Sequence, residues 1–402
     1  MTIINQLFIL FLILNIFSPK RFLLLYVLFI TSFLGFIDNT VLVFGFDIGQ
    51  FIINISMLLF YLFKRPVLID KYFKYLDLII IIYIFGISRS VLIDFSSFQD
   101  SVIGSKSFSS IFLLHYLLSN KEYINNEYLL KIIFGLTLYF LLIFIFAIFF
   151  DLVPPEYYKE GFLIEIDYLT IFALGVIIIS AKDFNFPLNL YKYFLIIIFP
   201  YLLIKEGHIS ILFTIAIASL LLLFFKEKLF LIKFSKIKLF FLIILLIPIA
   251  YIFDSFIIDY LYSYIVNLDS ISSRILTNKI RVEYILEKPF LGYGFSSFSS
   301  IQFDTVNQFS NYLSTIDNGY HDLLIKFGLI VSSLYLFCLY KLTIPDVVSK
   351  QNFPLVVFII LLLVINLTWS VFTYEVGIIS LSFALFLNLN SNNKINSSEF
   401  KI

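Results

Sequence analysis

Residues 128–150 read YLLKIIFGLTLYFLLIFIFAIFF, 23 positions with a single charged side chain, Lys131, near one end. The hydrocarbon core of a bilayer is about 30 Å thick and takes about 20 apolar residues of helix. This stretch is therefore expected to span a membrane, and the same pattern recurs along the chain. Apolar runs bounded by charged or turn-forming residues fall at roughly 3–18, 22–37, 43–63, 76–92, 108–119, 128–150, 165–181, 187–204, 208–225, 238–253, 319–341, 354–370 and 373–389. The fifth is short for a span and contains His115. The first is followed at once by Pro19-Lys20-Arg21, without a small-residue cleavage site, and reads as a retained helix and not a signal peptide.

Composition agrees. Of 402 residues, 61% are hydrophobic, 20% aromatic and 14% charged, whereas soluble domains are roughly 45–50% apolar and about 25% charged. The expected fold is all-α: a polytopic integral membrane protein with about 12–13 transmembrane helices and one large outer loop. Residues 1–253 form an N-terminal bundle of about ten spans. Residues 254–318 are the outer loop, 319–390 the C-terminal helices and 391–402 a cytoplasmic tail. With 28 Lys and Arg against 27 Asp and Glu, no basic surplus points to nucleic acid. The single cysteine, Cys338, excludes an intrachain disulfide, a thiolate metal cluster and a CxxC redox site, and is expected to be a packed or lipid-facing thiol.

Orientation follows from the cations, since short loops rich in Lys and Arg stay cytoplasmic. One side collects Lys20, Arg21, Lys64, Arg65, Lys71, Lys74, Lys121, Lys182, the cluster Lys226 to Lys238, Lys341, Lys350, Lys394 and Lys401. The other collects Asp94, Asp100, Asp151, Glu156 and Glu160 together with the long hydrophilic segment. The loop is thus expected outside and the C-terminus in the cytoplasm. Any chemistry belongs on the loop or on the helix ends beside it, because irregular backbone at membrane depth is tolerated only where it is buried or lines water.

Within the loop, Ser272-Ser273 can cap an amphipathic helix over 273–288, which Pro289 and Gly292-Tyr293-Gly294 end. Arg274, Arg281 and Lys288, seven apart, share one face, with Asn278 between the first two. Such a stripe matches phosphate oxygens. It is equally readable as a solvated face, or as an interfacial helix with Ile275, Val282 and Leu286 in lipid. Asp317-Asn318-Gly319-Tyr320-His321-Asp322 stands where the chain returns to the membrane. Asp317 and His321, four apart, can pair as a carboxylate-oriented general base; Asp and Asn before an apolar run are also ordinary helix caps. Lys205-Glu206-Gly207-His208 forms a short outer turn between two apolar runs, either functional or a self-paired Lys–Glu turn. Arg89, near the outer end of its run, can reach the same cavity or the headgroups. His115 is expected to be a helix-packing histidine. Three histidines in three different runs argue against a His-rich metal site, and no metal is expected.

Arg274, then fourteen residues, then Pro289-Phe290-Leu291-Gly292-Tyr293-Gly294-Phe295, then Asn318-Gly319-Tyr320 and Phe327-Gly328-Leu329-Ile330, resembles in order the signature region of the O-antigen polymerase and ligase superfamily. These are bacterial membrane proteins that handle undecaprenyl-diphosphate-linked glycans on the outer face of the inner membrane. The resemblance implies a multi-pass inner-membrane glycosyltransferase that polymerises lipid-linked repeat units without a cofactor. It also implies a chain-length regulator and a repeat-unit flippase as partners besides the lipid bilayer and the lipid-linked oligosaccharide. Arg274 corresponds to the arginine implied to contact the diphosphate, and Arg281, Lys288 and Arg89 are candidates to join it. His321, Asp317 and Glu206 are candidates to take the acceptor's proton, and Asn278, Asn318, Lys205 and His208 to bind substrate. Two departures stand out. Glu206-Gly207-His208 replaces a Ser-Arg or Thr-Arg pair, and Asp317-Asn318 replaces a His-Asn pair. The second favours a polymerase over a ligase delivering glycan to a lipid A core or protein. A flippase or transporter is the more distant alternative, since no repeated halves with polar groups at the midplane are visible.

Overall fold

A computed structural model describes residues 13–27, 49–64, 70–92, 98–133, 135, 281–295, 319–343, 359, 366 and 375–399. These residues are 87% helical, with no strand among them. The main elements are α1 (Gly49–Phe63), α2 (Asp70–Leu92), α3 (Phe98–Ser109), α4 (Phe112–Ser119), α5 (Gly319–Thr343) and α6 (Glu375–Glu399). Shorter helical stretches lie at 13–17, 19–27, 126–133 and 281–287. Among the described residues, two helices are long and apolar enough to cross a membrane, Tyr72–Leu92 and Gly319–Thr343. The runs expected at 165–181, 187–204, 208–225 and 238–253 lie outside the described residues, as does most of the loop.

Helices α2 and α5 lie against each other in opposite directions. At one end Tyr75 meets Phe337 with ring centroids 6.0 Å apart, and Lys74 and Lys341 lie over those same rings. At the other end Gly86 and Phe327 both touch Phe295. The cationic ends that the sequence assigns to one side of the membrane therefore do share one end of the bundle. Asn388 of α6 closes α5 there, donating to the Thr343 carbonyl at 2.7 Å, because the last carbonyls of a helix need an outside donor.

The short fifth run is longer than its hydropathy suggests. Helices α3 and α4 are joined only by Ser110 and Ile111, whose N–H groups donate three residues back to Ser107 and Phe108 at 3.0 and 3.2 Å. The pair covers 98–119, about 33 Å at 1.5 Å per residue, with a polar first half and an apolar second half. Its serine face is buried and paired across helices: Ser90 with Ser101 at 2.7 Å, Tyr83 with Ser105 at 2.9 Å, and Asn54 with Ser109 at 2.8 Å. In an apolar surrounding such groups must find one another, which makes them adhesive between helices. Helix α6 also runs past the expected boundary into 391–399, a stretch with no Gly or Pro to stop it.

The core is aromatic. Phe295, wholly buried, packs against Tyr83, Phe108 and Phe327 at centroid distances of 5.4, 5.5 and 5.2 Å. His115 is buried there too, its ring nitrogens 3.3 and 3.1 Å from the Ile111 and Leu76 carbonyls. It is a packing histidine, and Cys338 is a packed thiol.

Candidate functional site

The end of the bundle opposite Lys74 and Lys341 is built on a break in α5. Gly328 takes φ 64° and ψ −178°, a backbone region essentially confined to glycine. A broken helix strands donors and acceptors that an apolar surrounding cannot satisfy. The 289–294 segment supplies their partners. The Ile325 and Lys326 carbonyls accept from the N–H groups of Tyr293 and Gly294 at 2.8 and 2.7 Å, while the N–H groups of Leu329 and Ile330 donate to the Pro289 and Phe290 carbonyls at 2.7 and 3.2 Å. Across the break, Ser332 Oγ also donates to the Leu323 carbonyl at 2.8 Å. Loop and helix are thus spliced by four backbone hydrogen bonds.

Glycine is required where the two backbones meet. A β-carbon on Gly292 (φ +62°) would stand 2.5 Å from the Ile325 and Lys326 carbonyl oxygens. One on Gly294 (φ +73°) would stand 2.7 Å from the Ser90 nitrogen. Phe295 N–H then donates to the Gly86 carbonyl at 3.2 Å, tying the loop to α2 as well. The Pro289–Phe295 and Phe327–Ile330 segments, read separately along the sequence, are two halves of one structure.

Four of the residues singled out from sequence are described, and the splice gathers them at this end. Arg89, in the last turn of α2 and 9% exposed, donates from Nε to the Gly292 carbonyl at 3.1 Å, and its Nη1 is buried with no hydrogen-bond partner among the described residues. Arg281, in the 281–287 helical stretch, is 3% exposed. The neighbouring outward position, Leu286, is 69% exposed, so this helix turns its arginine inward and does not carry it on a solvated face. Lys288 is half-buried with Nζ 4.0 Å above the Tyr293 ring, a favourable cation–π contact, and Tyr284 meets the same ring edge-on at 5.9 Å. Burial, with the carboxylates of Glu287 and Glu283 adding, raises the Tyr284 phenol above its usual range. His321, buried in the first turn of α5, is close enough to Arg281 for their charges to interact.

Arg274, Asn278, Asp317, Asn318, Lys205, Glu206 and His208 lie outside the described residues. Sequence reading passed over Asp322, which is 1% exposed and takes Lys326 Nζ on Oδ2 at 2.8 Å. Its i,i+4 spacing from Lys326 looks like any surface ion pair, and nothing in the local sequence announces its burial. Among the described residues, no three His, Cys, Asp or Glu side chains come together in a group that could hold a metal.

Two buried guanidiniums, Arg89 and Arg281, thus lie at the end of the bundle that also holds the His321 imidazole and the Asp322 carboxylate, groups of the kinds that bind anions and exchange protons. No family model, curated protein or solved structure matches the chain.

Proposed function

We propose that the chain is a polytopic glycosyltransferase of the bacterial inner membrane. It would move a glycan from undecaprenyl diphosphate onto the sugar of a second lipid-linked repeat unit, building O-antigen, capsule or exopolysaccharide. The observation that carries the reading is the pair of buried arginines. Arg89 comes from a membrane-length helix and Arg281 from the loop, and both are held at the end of the bundle that the cation pattern assigns to the outer face. Burying a guanidinium group is costly unless its N–H groups are met, and Arg89 Nη1 is buried with no hydrogen-bond partner among the described residues. A diphosphate leaving group develops negative charge in the transition state, so fixed cations lower its barrier. The ordered resemblance to O-antigen polymerases supports the substrate class. Its two motifs are the two halves of the splice.

The acceptor hydroxyl must also lose a proton, and His321, Asp317 and Glu206 are the sequence candidates. Deleting the gene tests the reading: lipid-linked single repeat units should persist and polymer should vanish. Units trapped on the inner leaflet, with polymer length unchanged, would instead indicate a flippase.

A further inference from the structure

Asp322 is a buried charge at this end to which the reading above gives no task. Oδ2 receives Lys326 Nζ at 2.8 Å, while Oδ1 is buried with no hydrogen-bond partner among the described residues. An ionised carboxylate accepts at both oxygens, and a buried one left half-satisfied is unfavourable. An acidic residue in the first turn of α5 suits the positive end of the helix dipole, and a lysine one turn later suits it further. Those effects explain why the helix tolerates Asp322, yet they cover only Oδ2. Asp322 follows His321, whose neighbour is Arg281. Lys326 is itself fixed by the splice, its carbonyl accepting from Gly294 at 2.7 Å. An acceptor oxygen held so firmly, at the end of the bundle that carries Arg89 and Arg281, is matched by a hydroxyl donor.

We propose that Asp322 Oδ1 receives the hydroxyl of the acceptor sugar and removes its proton as the glycosidic bond forms. The inference rests on the glycosyl-transfer reading and gives Asp322 the role for which His321, Asp317 and Glu206 are the sequence candidates. In the step, the hydroxyl proton passes to Oδ1 and the hydroxyl oxygen uses its electron pair to bond the donor sugar's anomeric carbon. The bond from that carbon to the diphosphate oxygen breaks, and lipid diphosphate leaves with the electron pair towards the arginines.

The test uses membranes carrying the full chain and, as probe, the lipid-linked oligosaccharide that accumulates in a strain lacking it. Two quantities are read at equal protein amounts: the initial rate of polymer formation, and retention of the labelled lipid-linked oligosaccharide. Asp322→Asn should slow polymer formation by about a hundred-fold or more, in the range of a lost general base, with retention unchanged. Asp322→Glu, which restores the carboxylate, should recover measurable rate. Polymer formation by Asp322→Asn at the wild-type rate overturns the inference and leaves the glycosyl-transfer reading intact. Equal losses of retention and thermal stability in Asp322→Asn and Lys326→Met, unrescued by Asp322→Glu, overturn it in favour of a structural ion pair. Failure of the wild-type chain to polymerise the probe overturns both readings.

Discussion

The N–H of Tyr293 donates to the carbonyl of Ile325 at 2.8 Å, a hydrogen bond that α5 would otherwise make with its own Leu329. This exchange of partners lets a loop enter a membrane-length helix without stranding backbone groups, and it brings Arg281 and His321 together.

Gly328→Ala should therefore loosen the site and not merely the helix. The substitution places a β-carbon against the backbone of Phe290 and Leu291 in a conformation that costs non-glycine residues about 1–3 kcal/mol. A lowered melting temperature of the detergent-solubilised chain is expected. Gly135→Ala, where a β-carbon would meet nothing within 4 Å, should not lower it.

Phe295→Ala empties the centre of the aromatic cluster. Large-to-small changes of this kind cost about 3–5 kcal/mol. The variant should accumulate poorly or melt well below the wild type, and Phe295→Leu should fall between the two. A wild-type melting curve for Phe295→Ala would show that the turn does not anchor in the bundle.

Arg89 separates charge from geometry. Arg89→Lys keeps the cation but loses the planar fork that reaches the Gly292 carbonyl and leaves Nη1 over. Both Arg89→Ala and Arg89→Lys should reduce polymer formation, Ala more severely. A hydrogen bond to a charged group is worth about 1.5–3 kcal/mol, which in a transition state is roughly ten- to over a hundred-fold in rate. Polymer ladders from cells with equal amounts of each variant read this directly.

Topology is open to a reporter test. Fusions after Asp269 or Asn307 should be active only outside the cytoplasm, and a fusion after Lys233 only inside, as the cation asymmetry requires. Cytoplasmic activity at Asn307 would remove the site from the outer face.

The long apolar helices were legible because hydropathy is a sum over many residues: α2 and α5 fall within a few positions of their expected ends. The 98–119 rod was not, because Ser101, Ser105 and Ser109 count as polar in any window. Only the fold shows them paired with Ser90, Tyr83 and Asn54. The Pro289–Gly294 turn could be read from its glycines, but not its partner, since backbone-to-backbone splicing leaves no periodicity. The position of Arg89 near the end of its run leaves a cavity and the headgroups both within reach, and its hydrogen bond to the Gly292 carbonyl joins residues about two hundred apart, which no local pattern announces; the burial of Asp322 is likewise absent from its i,i+4 spacing to Lys326.

The most direct test is reconstitution of the purified chain in proteoliposomes with undecaprenyl-diphosphate-linked repeat units. Transfer between lipid-linked units predicts polymer that grows with time, release of undecaprenyl diphosphate in step with each bond formed, and loss of both in the Arg89→Ala, Arg281→Ala double variant. Repeat units that stay unpolymerised, or that only exchange between leaflets, would contradict it.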